Sequence, residues 1–191
     1  DFLIYLFTNS IMNLNTIYKY YDNYVNPGQR KQLSFFSHSK DVFLKGKGVY
    51  IFTNKKKILD LTGGGGVLNL GHNHPEILKE RIKFQKNFSL EVHKNILSPH
   101  IAKLSKKISD LLPKELTMSY FCNSGAEANE GAIKAAYKYH NGERKFILSS
   151  NIGFHGKLIG SGAVTFNSKK NSTPNALYNK KFKPNSIDSV N

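Results

Sequence analysis

The sequence has no tryptophan, two methionines, six prolines and a single cysteine, Cys122. One cysteine excludes an internal disulfide framework and any zinc site built on a cysteine cluster, and it fits a reducing compartment. Arginine is scarce as well, with Arg30, Arg81 and Arg144 standing against 25 lysines. That scarcity argues against nucleic acid as a partner despite a formal charge of +15, because base edges and phosphates are usually read by the guanidinium fork. Apart from Lys55-Lys56-Lys57 and short pairs the lysines are spread out, as on a solvated basic surface. The apolar stretch 1–8 is too short for a bilayer, which needs about 20 residues. It also lacks a basic leader and a small-residue cleavage site, so no signal peptide is expected. The expectation is a cytoplasmic protein with no membrane and no nucleic-acid partner. Met12 is read as the natural start, which makes residues 1–11 upstream read-through, and 1–12 are set apart as an extension ahead of the first segment.

Of the 191 residues, 39% are hydrophobic and 12% aromatic, enough for a core of ordinary size. Leu14, Ile17, Tyr18 and Tyr21 recur at helical spacing over 13–24, and Asn26-Pro27-Gly28 marks a turn. Short apolar runs separated by Gly and Asn-Lys turns over 41–61 predict a small antiparallel meander, which Gly63-Gly64-Gly65-Gly66 ends. Helices are expected over 75–88, 98–112 and 126–140. The second of these opens on Ser98-Pro99, a cap followed by a proline suited to the first helical position. Apolar runs at 118–122, 146–150 and 163–166 read as strands. With the helix between the first two they form a βαβ unit, hence an α/β fold with a parallel sheet. Residues 167–191 read as polar loop.

The stretch Asn123-Ser124-Gly125-Ala126-Glu127 places a tight turn between a strand and a helix. Free N–H groups and the positive end of the macrodipole make such a helix start receptive to an anion, and Gly125 would let a phosphate approach the backbone. The same residues also satisfy a Ser-x-x-Glu capping box, Ser124 with Glu127, which needs no ligand. Both readings stand on local chemistry. A second strand end carries Gly153-Phe154-His155-Gly156, where Phe154 either offers a flat face to a planar ring or plugs the core.

Several other signatures fail. Gly66 to Gly71 has P-loop spacing, but His72-Asn73 replaces the required Lys and Ser/Thr. No Gly-x-Ser-x-Gly elbow exists, and His72 and His74 have no acidic or cysteine partners at ligand spacing, so no metal site is expected.

Three blocks taken together carry more. Asp60-Leu61-Thr62 through Gly71-His72-Asn73-His74-Pro75-Glu76, Asn123-Ser124-Gly125-Ala126-Glu127-Ala128-Asn129-Glu130, and Phe154-His155-Gly156-Lys157 resemble, in order and spacing, the class III pyridoxal-phosphate aminotransferases. That family includes the ornithine, acetylornithine and putrescine enzymes. The resemblance covers about residues 18–166 and implies fold-type I. Under it, 13–61 would be the N-terminal segment of the small domain and 62–166 the N-terminal part of the large cofactor-binding domain, with 167–191 a polar, truncated end.

The resemblance implies pyridoxal 5'-phosphate as cofactor, with backbone N–H groups of Gly125 and Ala126 on its phosphate and Ser124 turning the chain. It implies Phe154 stacked on the pyridine ring, His155 shaping that loop, and Gly63–Gly66 near the substrate mouth or a partner subunit. It further implies a homodimer using an amine or amino-acid donor and a 2-oxo acid acceptor. Lys157-Leu158 departs from the family's Arg-Thr after His-Gly. The family's Schiff-base lysine and the Asp on the pyridine nitrogen belong to later blocks that this sequence does not contain. No catalytic residue is therefore assigned, and the expectation is an inactive N-terminal part of a larger enzyme, its sheet unfinished and its apolar surface open. The alternatives are a non-catalytic module that binds a phosphate ligand and a basic nucleic-acid binder. Other fold-type I reactions, such as racemisation and aminomutation, also stay open.

Overall fold

The computed structural model describes residues 12–92, 95–166 and 177–189. Residues 1–11 of the proposed extension lie outside them, as do 167–176 and 190–191 of the polar end. The chain divides into two compact units, residues 1–92 and 93–191.

In the first unit α1 spans Leu14–Tyr20, and Asn13 caps it by accepting a hydrogen bond from Thr16 N. One wider π-turn, Tyr21–Val25, follows. The Asn-Pro-Gly signal ends this helix as expected, and it also starts a second one. Asn26 Oδ1 accepts from Gln29 N and Pro27 occupies the first turn of α2, Pro27–Leu33. An Arg30–Asp22 ion pair at 2.5 Å joins the two turns. Between α1, α2 and the first strand lies an apolar cavity of about 390 Å³ lined by Leu14, Ile17, Leu33, Val42 and Phe43.

The expected meander is present. Strands β1 (Phe43–Lys47), β2 (Tyr50–Thr53) and β3 (Lys57–Leu59) form an antiparallel sheet in chain order, with Gly46 opposite Ile51 and Ile51 opposite Ile58. A further bridge joins Gly48 to His72, each N–H reaching the other's carbonyl at 2.8 Å. Helix α3, Pro75–Lys86, then opens on Pro75.

The second unit begins with α4, Pro99–Ser109, whose Ser98 cap accepts from Ile101 N at 3.3 Å. Helix α5 is Gly125–Tyr139, strand β4 is Ile147–Ser150, α6 is Ile159–Val164 and β5 is Asn179–Phe182. Strands β4 and β5 pair in parallel, Ile147 opposite Asn179 and Ser150 opposite Phe182.

Three expectations are corrected here. Residues 118–122 carry no regular secondary structure and pair with no strand among the described residues, and Met118 is 93% exposed. An apolar run becomes a strand only where a neighbour accepts its ladder. Where this run stands off α5, an open cavity of about 710 Å³ is lined by Tyr120, Phe121, Glu130, Lys134 and Gly160.

Residues 163–166, also read as a strand, instead contain the end of α6. Gly160, Ser161, Gly162 and Ala163 are small enough to let this short helix lie buried. Its last carbonyls are satisfied from β5. Lys181 Nζ donates to Val164 O at 2.6 Å and to Thr165 O at 2.9 Å, and Asn179 Nδ2 donates to Ala163 O at 2.9 Å. Burial pushes the Lys181 ammonium below its ordinary pKa.

The polar end, read as loop, contributes that same β5. Its Asn-Lys-Lys-Phe sequence lacks apolar alternation because its lysine serves a helix end and its backbone serves the β4 ladder. Gly160 to Thr165 form the buried centre of this unit, and Ala163 and Val164 are the buried hydrophobic residues among those described. Many large apolar side chains elsewhere, including Leu97, Leu111, Tyr120 and Ile152, remain exposed.

Candidate functional site

Helix α5 starts where sequence reasoning placed an anion site, and the capping box forms there in both directions. Ser124 Oγ accepts from Glu127 N at 3.2 Å, while Glu127 Oε2 accepts from Ser124 N at 3.1 Å and from Asn123 N at 2.7 Å. These bonds consume three amides. The N–H groups of Gly125 and Ala126 meet no acceptor among the described residues. A Cβ built on Gly125 would find nothing within 4 Å, so no neighbouring group crowds that residue. Capping and anion binding are therefore compatible at this helix start rather than competing.

The Phe154–His155 loop is brought to the same helix end. Gly156 makes the contact: at φ +128° a Cβ there would lie 2.5 Å from Ala126 Cβ and 2.7 Å from Ser161 Oγ. Only glycine accepts both that backbone and that approach. Asn129 joins the two pieces directly. Its Nδ2 donates to Gly125 O at 3.0 Å and to His155 O at 2.9 Å, using both amide protons. Glu130, one residue on, accepts from Ser161 N at 2.6 Å and secures α6 beside them. Phe154 itself is 62% exposed, so it does not plug a core. The His155 ring folds back over Gly153, where a Cβ would lie 2.8 Å from its Nε2.

The structure thus gathers Ser124, Gly125, Ala126, Phe154 and His155 at one end of α5. Asn129 and Thr165, to which sequence reasoning gave no part, connect them. Asn129 had a readable signal, since four residues past Gly125 places it over the helix's own first turn. Thr165 had none.

In the first unit a second arrangement centres on Asp60. Its Oδ1 accepts from Thr62 N at 2.9 Å and Thr62 Oγ1 at 2.6 Å, and its Oδ2 accepts from Gly64 N at 2.9 Å and lies 2.9 Å from His72 Nε2. Led by the Thr62 hydroxyl and then His72, these contacts hold the carboxyl well below the usual carboxylate range. Around it Gly63, Gly64, Gly65 and Gly66 have φ of 57°, 65°, 77° and 84°, a turn of left-handed backbone. Leu68 N and Val67 N close it on Gly63 O at 2.8 and 3.1 Å. Among the described residues no group of three or more metal-ligating side chains occurs, and no helix is long and apolar enough to cross a membrane.

The sequence pattern of the class-III aminotransferases matches residues 36–188. The chain belongs to that family. Among relatives of this class III chain, the acetylornithine aminotransferase of Methanocaldococcus jannaschii is 36% identical over 152 residues, 75% of this chain and 37% of that protein. The acetylornithine aminotransferase of Bacillus cereus is 39% identical over 126 residues, 64% of this chain and 31% of that protein.

Solved structures agree on the fold. An (S)-enantioselective omega-transaminase from Thermomicrobium roseum superposes with a TM-score of 0.75 at 23% identity, covering 91% of this chain and 41% of that one. A taurine:2-oxoglutarate aminotransferase from Bifidobacterium kashiwanohense, in complex with PLP and glutamate, gives 0.69 at 22% identity over 91% of this chain and 39% of that one. The fold is that of fold-type I transferases, and this class III chain spans between about a third and two fifths of the relatives it matches.

Proposed function

We propose that the chain is the N-terminal part of an aminotransferase that uses pyridoxal 5'-phosphate to move an amino group from an amine or amino acid to a 2-oxo acid. The observation that carries this reading is the pair of open amides at Gly125 and Ala126, with the Phe154 loop tied to the same helix end. The donor set fits the cofactor. Two backbone N–H groups at the positive end of a 15-residue helix suit a phosphate dianion, and an exposed phenyl ring suits a planar heterocycle. When bound, the group supplies an electron sink through its pyridine ring.

The chain's own residues bind and orient. Gly125 and Ala126 donate to the phosphate, and Ser124 holds the turn through its bond from Glu127 N. Phe154 covers the ring on one side, and the folded-back His155 shapes the loop. The resemblance puts the family's covalent lysine in a later block than those found here, so this reading has the chain by itself bind without turning over.

The same reading assigns 13–61 to the small domain and 62–166 to the large one. It makes the complete enzyme a cytoplasmic homodimer that uses neither nucleic acid nor membrane. Two measurements test it. Amino transfer between an amine or amino acid and a 2-oxo acid, followed in the complete enzyme, is expected and its absence refutes the activity. Titration of this chain alone with pyridoxal 5'-phosphate is expected to give no absorbance band of covalently held cofactor, and such a band refutes the division of labour.

A further inference from the structure

The loop that carries Phe154 is shaped by a strap rather than by a sheet. Phe166 N donates to Gly153 O at 2.7 Å, and His155 N donates to Thr165 Oγ1 at 2.9 Å. Two consecutive residues, Thr165 and Phe166, therefore grip the backbone on both sides of Phe154. The Thr165 hydroxyl does more than accept. It lies 3.0 Å from Gly156 O and 2.9 Å from Ser161 O, and its single proton serves one of these carbonyls at a time. Thr165 is 2% exposed, so water cannot replace these bonds. With Asn129 on His155 O, the successive groups His155 N, His155 O and Gly156 O all end on side chains.

The phosphate donors meet this network at two points, through Asn129 on Gly125 O and through the close approach of Gly156 to Ala126. Gly125 and Ala126 amides are oriented by α5 and its capping box, which Thr165 does not touch. One hydroxyl thus grips the loop that carries the aromatic ring and makes no bond of its own to the anion-binding amides. We infer that Thr165 is a positioning residue for the cofactor ring, acting through the backbone of Phe154, His155 and Gly156. This inference rests on the cofactor reading above.

Thr165→Val keeps the shape and removes the hydroxyl, and Thr165→Ser keeps the hydroxyl. In the complete enzyme, freed of cofactor, the affinity for pyridoxal 5'-phosphate is measured by fluorescence titration. The affinity for inorganic phosphate follows from its competition with the cofactor, and near-ultraviolet circular dichroism reports the setting of the bound ring. Loss of a buried positioning bond is expected to weaken the cofactor at least about tenfold in Thr165→Val, leave inorganic phosphate within about twofold, and alter the dichroism. Thr165→Ser is expected to stay within about threefold of the parent on both affinities.

Equal weakening of cofactor and phosphate in Thr165→Val, as from general unfolding, would make Thr165 a structural residue and overturn the inference. So would an unchanged Thr165→Val, or a Thr165→Ser as impaired as Thr165→Val. A parent enzyme that takes up no pyridoxal 5'-phosphate overturns the cofactor reading itself and is told apart by that control.

Discussion

Two glycine-bearing turns, one in each unit, are held by a carboxylate that accepts backbone N–H bonds, and they end in opposite conditions. At the Asp60 turn the carboxylate takes Thr62 N and Gly64 N, and the glycine backbone then closes on itself through Val67 and Leu68. At the α5 start Glu127 takes Asn123 N and Ser124 N, which lie before the helix, and the next two amides stay open. The difference is which amides the acid consumes. Asp60 sits upstream of its turn and caps the amides inside it. Glu127 sits downstream and caps the approach, leaving the first helical donors to a ligand.

The largest effect expected on this contrast is at Gly156, which seats the Phe154 loop on Ala126. Gly156→Ala brings a Cβ to 2.5 Å from Ala126 Cβ at a φ of +128°. Strain and overpacking together should cost about 3 kcal/mol, read as a lowered Tm of the complete enzyme with loss of bound cofactor. Gly125→Ala sharpens the contrast in the other direction, because nothing lies within 4 Å of the added methyl. Stability should change by less than about 1 kcal/mol while inorganic phosphate binding is lost, since the methyl enters the ligand's space and not the protein's. If both variants destabilise alike, the α5 start is packed rather than open.

Removing the cap comes next. Ser124→Ala deletes the acceptor of Glu127 N and should lower stability by about 1 kcal/mol in thermal unfolding. Asp60 gives the pH arm of the comparison. Its carboxyl titrates lower when folded than when unfolded, so as pH falls below about 4 the unfolded chain takes up the proton first. The stabilisation it provides is present above that point and is lost as pH falls through the lowered folded value. Protection of the Gly64 amide against hydrogen exchange, corrected for the intrinsic pH dependence of exchange, should fall over that acid range, and Asp60→Asn should leave that protection low and unchanged across it. No such acid step in the parent would separate the Asp60 contacts from the turn's integrity.

Helices with explicit stops and starts were legible in the sequence. Ser98-Pro99 opens α4, and Ser124 with Glu127 opens α5 through a box formed in both directions. The meander was legible from turns between short apolar runs. The apolar runs Met118 to Cys122 and Ala163 to Phe166 misled, because hydrophobic content fixes neither a pairing partner nor a period in so few residues. Strand β5 was invisible for the converse reason, its side chains being recruited to the end of α6.

The site divides in the same way. Ser124, Gly125 and Ala126 are consecutive, and Phe154 with His155 lies between glycines, so both groups could be named. The bonds that join them span 26 residues at Asn129 to His155 and 10 at His155 to Thr165, distances over which a sequence carries no local signature.

The Gly63–Gly66 turn is built from residues that have no handedness, yet it winds opposite to every helix around it. Its hand is therefore imposed from outside, by the chiral side chains of Asp60 and Thr62 at its mouth. An L-amino acid at Gly65 would be the wrong enantiomer for this backbone and a D-amino acid the right one. Ribosomal synthesis offers no D-residue, so glycine is the sole encoded residue that occupies the mirror-image conformation without steric penalty. The run of four is what an all-L chain must spend to turn left.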